Sequence, residues 1–172
     1  MQMSRAIILI LLLLIISCHN SNMTSRKIQK GEHIIIESIL KSYNINGVRA
    51  RLDIYRDSLK LKLQLPILPI DILDLRINNS NIFIKQLGKE QDTIETSVIS
   101  PHLKVHHLNK LILKKKPPIN PIIYNNKSMF VSIYNYTHVN NIYVPQKIRY
   151  SPFPFTDTLD VQIEYKSVIL NQ

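Results

Sequence analysis

The chain has 172 residues, enough for one domain with a sizeable core, and 45% hydrophobic against 20% charged residues argues against wholesale disorder. Its formal charge of +10 would suit an anionic partner, but no arginine-rich run, glycine-rich phosphate loop or zinc-type spacing accompanies it, so nucleic-acid binding has no motif behind it. A single cysteine, Cys18, excludes an intrachain disulfide framework.

Met1 to Arg5 followed by eleven apolar residues, Ala6 to Ile16, reads as the n-region and h-region of a secretory signal. At ~1.5 Å per residue the run makes about 16 Å of helix, short of the ~30 Å hydrocarbon core. It is too short to span a membrane. Ile15-Ile16-Ser17-Cys18 resembles a bacterial lipobox, whose cysteine becomes the acylated N-terminus after cleavage. The alternative is an ordinary signal with an incidental cysteine. The lipobox gives residues 1–17 as a lipoprotein signal peptide and 18–29 as lipidated Cys18 plus a Ser/Asn-rich tether, with one domain over 30–172.

Glu32 to Tyr43 carries apolar residues at 35, 36, 39, 40 and 43, a stripe that predicts a short amphipathic helix closed by Gly47. The period then changes to two. Val48, Ala50, Leu52 and Ile54 alternate with Arg49, Arg51, Asp53 and Tyr55; after an Arg56-Asp57 turn, Leu59, Leu61, Leu63 and Leu65 alternate with Ser58, Lys60, Lys62 and Gln64. This is an antiparallel hairpin with one apolar and one polar face. Pro66-Ile67-Leu68-Pro69 interrupts it, because proline cannot donate to a sheet ladder. "DILDLRI" and "NIFIKQL" predict a second hairpin, and "TIETSVI" (93–99) a further strand. "LNKLILKKKPP" (108–118) predicts a short helix ended by Lys114 to Lys116 and two prolines. "SMFVSIYNY", "YVPQKIRY" and "TLDVQIEYKSVIL" close the chain as strands.

The fold expected is mainly β (α+β): a curved antiparallel sheet or half-open β-barrel, with an N-terminal helix and a small helical lid. An apolar sheet face with so little cover leaves a groove for an apolar ligand; the alternative is a groove filled by side chains. Catalytic chemistry has no support. His102, His106 and His107 lack nearby acids for metal ligation, and no nucleophile elbow is present. No enzyme activity, metal or cofactor is expected.

Lipobox, helix and "VRARLDIYRDSLKLKLQLPILPIDILDLRINNSNIFIKQLGKE" together resemble the LolB-like outer-membrane lipoproteins of the LolA–LolB superfamily, and most closely their uncharacterised Gram-negative relatives. Arg56-Asp57-Ser58 matches a turn of those relatives and Pro66 to Asp71 a loop. The resemblance covers roughly residues 30–170, with Leu68 where the loop has glycine, and a stretch between Pro118 and Lys127 too short for the central strands of the family. It implies a half-barrel with a helical lid that binds or transfers acyl chains or lipoproteins at the outer membrane. It also implies a membrane-inserting loop whose matching positions are Ile67 and Leu68. The acyl-binding face would be Val48, Ala50, Leu52, Ile54, Leu59, Leu61, Leu63 and Leu65. The implied setting is the cell envelope, lipid-anchored through Cys18 in the outer membrane and facing the periplasm, with lipid or lipoprotein cargo and a periplasmic carrier protein as partners. The competing reading is a structural or assembly lipoprotein with a filled core that binds a protein partner.

If Cys18 carries the anchor, Cys18→Ala shifts the protein from the membrane pellet to the soluble fraction, and intact-mass measurement finds diacylglycerol only on the parent chain. An unmodified Cys18 in membrane-extracted protein contradicts the lipobox reading.

Overall fold

In the computed structural model, the residues described are 28–42, 45–95, 105, 109, 112–116, 122–126, 129–152 and 158–171. Ten antiparallel strands form one sheet: β1 (His33–Ser42), β2 (Ile45–Ile54), β3 (Ser58–Gln64), β4 (Asp71–Asn78), β5 (Asn81–Gln86), β6 (Gln91–Glu95), β7 (Ile122–Asn126), β8 (Met129–Val139), β9 (Ile142–Pro152) and β10 (Leu159–Asn171). Their order is β6-β5-β4-β3-β2-β1-β10-β9-β8-β7. Neighbouring strands are consecutive in sequence except where β10 docks beside β1, and β6 and β7 end up at opposite edges. The sheet is curved and does not close, leaving β6 and β7 as its edges.

Register explains the core. Leu170, Ile34, Ile54, Leu59, Ile77, Ile82 and Ile94 lie in a row, each opposite the next, across seven strands. A second row runs Val168, Ile36, Leu52, Leu61, Leu75 and Ile84. Because side chains alternate faces with period two, these rows share one face, while the row between them carries Asp53, Lys60, Arg76 and Phe83 on the other, and the row after the second carries Arg51, Lys62, Asp74 and Lys85. The predicted β2–β3 hairpin forms as read, with Ala50 opposite Leu63, Leu52 opposite Leu61 and Ile54 opposite Leu59. The β4–β5 hairpin also forms, its turn made by the Asn78 side chain accepting the N–H groups of Ser80 and Asn81 at 2.8 and 2.6 Å.

The first predicted helix is a strand. Ile34, Ile36 and Ser38 point into the core and alternate with Ile35, Glu37 and Ile39 on the polar face. Three successive isoleucines stiffen the backbone toward the extended conformation. Ile35 and Ile39, apolar on the polar face, are what imitate a helical stripe. Between Pro118 and Lys127 the chain forms β7, which the sequence reading left without a strand.

Of the second predicted helix only residues 109 and 112–116 are described; Asn109 and Ile112 are helical, and so is Val105 just upstream. The Leu113 N–H donates to the Asn109 carbonyl at 2.8 Å, the i to i−4 bond of an α-helix. The chain then leaves that conformation, and Lys114 forms a β-bridge with Tyr143 through both backbone groups, at 3.0 and 2.8 Å. The Lys114 side chain is 1% exposed, so it is not part of the solvated lysine turn that the triple-lysine run suggests. His102, His106, His107 and residues 96–99 lie outside the described residues, as do Cys18 and everything before Ile28.

One seam breaks the sheet's regularity. β9 and β10 pair only over residues 147–150 and 159–162, and their remaining lengths diverge. Lys114 takes the vacated edge of β9 at Tyr143. Two side chains span the gap: the Tyr165 hydroxyl donates to the Pro145 carbonyl, and the Asn140 amide donates to the Val168 carbonyl. Asn140 and Asn141, with φ of 46° and 63°, form the two-residue turn between β8 and β9, and asparagine tolerates the left-handed region that this turn needs.

Leu63 and Leu75 are 0% exposed, and Leu→Ala at either site removes core packing worth ~2–5 kcal/mol. Urea denaturation of each variant measures the loss. A cost below ~1 kcal/mol at both positions would contradict the packed rows.

Candidate functional site

Three features of the sheet carry chemistry of their own: the covered apolar face, one end of the sheet, and the polar face.

The residues expected to bind acyl chains form the core. Val48, Ala50, Leu59, Leu61 and Leu63 are buried in a single cluster with Leu73, Leu75, Ile77, Ile82, Ile84 and Val105, and Leu52 packs against it. Ile54 belongs to the adjoining cluster with Ile34, Ile36 and Leu113, and Leu65 is half-buried at the strand end. The two clusters meet at Leu52 and Ile112. The cover therefore includes Val105, Asn109, Ile112 and Leu113, and hydrogen bonds pin Val105 and Asn109 to the turns at one end of the sheet. Val105 N–H donates to Asn79 Oδ1 at 3.1 Å, and Asn109 Nδ2 donates to the Tyr55 carbonyl at 3.1 Å. Within the described residues the face is closed by the chain itself.

At the opposite end lie the β3–β4 connection (65–70) and the β5–β6 connection (87–90). Ile67 is 89% exposed, Leu68 53%, Ile70 39% and Leu87 61%, so four large apolar side chains gather on one end of the sheet. A polar loop would cost nothing here; an apolar one forfeits ~1.5–3 kcal/mol of burial per large side chain. The loop is also stiff. Pro66 and Pro69 fix their φ angles, and the Leu65 N–H closes the loop onto the Ile70 carbonyl at 3.2 Å. The neighbouring loop is tied in by Leu87 N–H to the Ile72 carbonyl at 3.1 Å, with Gly88 at φ 72° in a left-handed position. Asp71 clamps the base: its carboxylate accepts from Lys62 Nζ and Gln64 Nε2, both at 2.7 Å, so the strands on either side of the loop are joined by side chains. Sequence reading found Ile67 and Leu68; it missed Leu87, which becomes part of the same end only through the pairing of β4 with β5.

The polar face holds an open groove of about 880 Å³ over β1, β2 and β3. Arg49, Arg51, Lys60, Lys62 and Lys166 line it against only two acids, Glu37 and Asp53. Arg51 takes both acids, at 3.2 Å from Asp53 and 3.8 Å from Glu37. Lys62 is held by Asp71 and Lys166 by Glu164. Among the described residues, Arg49 and Lys60 make no ion pair or hydrogen bond. Half-buried Ile35 and Ile39 form an apolar strip along the groove, and at its far end His33 stacks on Tyr55 with ring centroids 4.8 Å apart. Single residues in the sequence gave no sign of this groove; it exists because Ile35 and Ile39 sit beside the β2 cations on one sheet face.

The Lys62 ammonium, and then the Gln64 amide, hold the Asp71 carboxyl below the usual aspartate range. Glu164, between Lys166 and Lys41, is pushed down to about 2, and the Arg149 guanidinium lowers Asp160. A carboxyl whose pKa is lower folded than unfolded contributes stability that is complete above its unfolded value of ~4 and is lost as pH falls through the folded one. Urea midpoints should therefore fall as pH drops from about 4 toward 2, and the acid slope should be shallower in Asp71→Asn and Glu164→Gln. An unchanged slope in both variants would remove the clamp from the account.

No protein-family model matches the chain, and no curated protein does. Among solved structures it is similar to a LolA superfamily protein from Nitrosomonas europaea, with 6% identity, 93% of each chain covered and a TM-score of 0.45.

Proposed function

We propose that this chain is a lipid-anchored, non-enzymatic lipoprotein that docks its apolar end into a membrane and binds or transfers an acyl chain or lipoprotein on its covered sheet face. The exposed end carries this reading: Ile67, Leu68 and Leu87 on two loops held rigid at their bases. Burying three such side chains yields at most ~4.5–9 kcal/mol, enough for reversible docking once an anchor at Cys18 holds the chain near the surface. The sequence resemblance to LolB-like lipoproteins supports the same reading, with the outer membrane as the proposed setting, lipid or lipoprotein as the proposed cargo and a periplasmic carrier as the proposed donor. Acyl-chain entry then requires Val105, Ile112 and Leu113 to lift from the sheet face that carries Leu61 and Leu63. Among the described residues that cover is held by hydrogen bonds to Asn79 and Tyr55 and by the buried Val105 and Leu113, all of which lifting must undo.

One observation favours a second reading. Every residue of the candidate acyl face except Leu65 is packed in the chain's own clusters, as a structural lipoprotein with a filled core requires.

Two measurements separate the readings. In vesicle flotation with the Cys18→Ala chain, Ile67→Asp and Leu68→Asp each weaken binding about tenfold or more, while stability changes by less than ~0.5 kcal/mol because both sites are exposed. Unchanged flotation in both variants removes the docking end. A photo-crosslinker at Leu61 captures lipid in cells if the cover lifts; adducts confined to the protein's own chain favour the filled core instead.

A further inference from the structure

The groove on the polar face is an open volume, and it lies on the opposite side of the sheet from the face to which acyl chains are assigned above. Its walls combine two properties that seldom coincide on a solvated sheet face. The first is uncompensated positive charge. Arg51 stands directly opposite Lys62 on the neighbouring strand, a like-charge pair that disfavours the sheet, and its acids are already shared. Arg49 opposes the neutral Gln64, and that amide is spent on Asp71. Lys60 opposes Asp53, whose carboxylate is turned to Arg51.

The second property is an apolar strip beside those cations. Ile39 lies directly across from Arg49, and Ile35 across from Asp53. Ile39 and Ile35 are four residues apart on β1, about 13 Å at ~3.3 Å per residue, a run that an extended chain of roughly ten carbons covers. Beyond Ile35 on the same face is Ile169 of β10, 44% exposed, and the stacked pair of His33 and Tyr55 ends the groove. At about 880 Å³ the volume falls within the usual ~300–1,000 Å³ of small-ligand sites.

We infer that this groove binds a single-chain anionic amphiphile, its phosphate or carboxylate head on Arg49 and its alkyl chain along Ile39 and Ile35. Arg49 supplies free donors in a planar fork suited to an oxyanion, and Arg51, Lys60 and Lys62 supply the surrounding field. A purely polar anion leaves the isoleucine strip wet, and a neutral amphiphile leaves Arg49 and Lys60 unmatched. Only a ligand with both parts satisfies both walls. The site lies on the face opposite the covered one, and it shares only Lys62 and Gln64 with the Asp71 clamp at the base of the docking end.

The test uses the Cys18→Ala chain and dodecyl phosphate below its micellar concentration, with calorimetry and native mass spectrometry as readouts. One molecule should bind, and Arg49→Glu should weaken binding at least tenfold, with Lys60→Glu and Ile39→Asn weakening it less. Dodecyl maltoside and inorganic phosphate should each bind at least tenfold more weakly than dodecyl phosphate. Ile67→Asp should leave the affinity unchanged, so failure of the docking end and failure of the groove are told apart. Thermal unfolding of every variant confirms that it is folded. Equal affinity for dodecyl maltoside overturns the proposal, as does equal affinity for inorganic phosphate. An Arg49→Glu variant that binds as the parent does, or displacement of the ligand by soluble polyglutamate at equal charge concentration, also overturns it.

Discussion

Side chains of Val168, Ile36, Leu52, Leu61, Leu75 and Ile84 face one another in turn across six strands, and a parallel row from Leu170 to Ile94 crosses seven. A one-residue slip in any of those pairings would turn a strand's apolar set to solvent and bring Arg51, Lys62 or Lys85 into the core. Each large side chain moved that way costs ~1.5–3 kcal/mol before any charge is desolvated. Everything else follows from holding this register. It fixes which loops share an end, which cations share a groove, and where the chain must supply a cover.

The cover is where the fold gives up regularity. Val105, Ile112 and Leu113 pack over the apolar rows, and Lys114 follows them against Tyr143 where β9 and β10 part. The open seam exposes backbone groups that a continuous ladder would satisfy, and side chains replace part of that ladder: Tyr165 reaches Pro145 and Asn140 reaches Val168. Burial raises the Tyr165 phenol well above its ordinary pKa, so this hydroxyl remains a donor through the physiological range. The β6 edge is short and carries Asp92 and Glu95, which discourages pairing with another chain.

Legibility in the sequence follows the same physics. The β2–β3 hairpin could be read residue by residue because its leucines alternate without interruption. His33 to Ser42 could not, because Ile35 and Ile39 add apolar residues on the polar face and turn a period of two into an apparent stripe. Those same two residues floor the groove, so the error marks the functional candidate that sequence alone concealed. β7 was missed because its five residues sit among prolines and asparagines, and its partner β8 is what holds it extended. Ile67 and Leu68 were legible as an apolar loop between prolines. Leu87 was not, since nothing local brings residues 67 and 87 to one end. Cys18 and the histidine cluster lie outside the described residues and stand as sequence expectations.

The two ends of the sheet differ in kind. One carries Ile67, Leu68 and Leu87; the other carries the polar turns at Asp57 and Ser80. That asymmetry is what the docking account requires, and it can be read directly with nitroxide labels placed singly at positions 67, 87, 57 and 80 on vesicle-bound protein. Labels at 67 and 87 protected from an aqueous relaxant and accessible to oxygen, with 57 and 80 fully aqueous, is the predicted result. Aqueous behaviour at all four positions, or equal immersion of both ends, would contradict it.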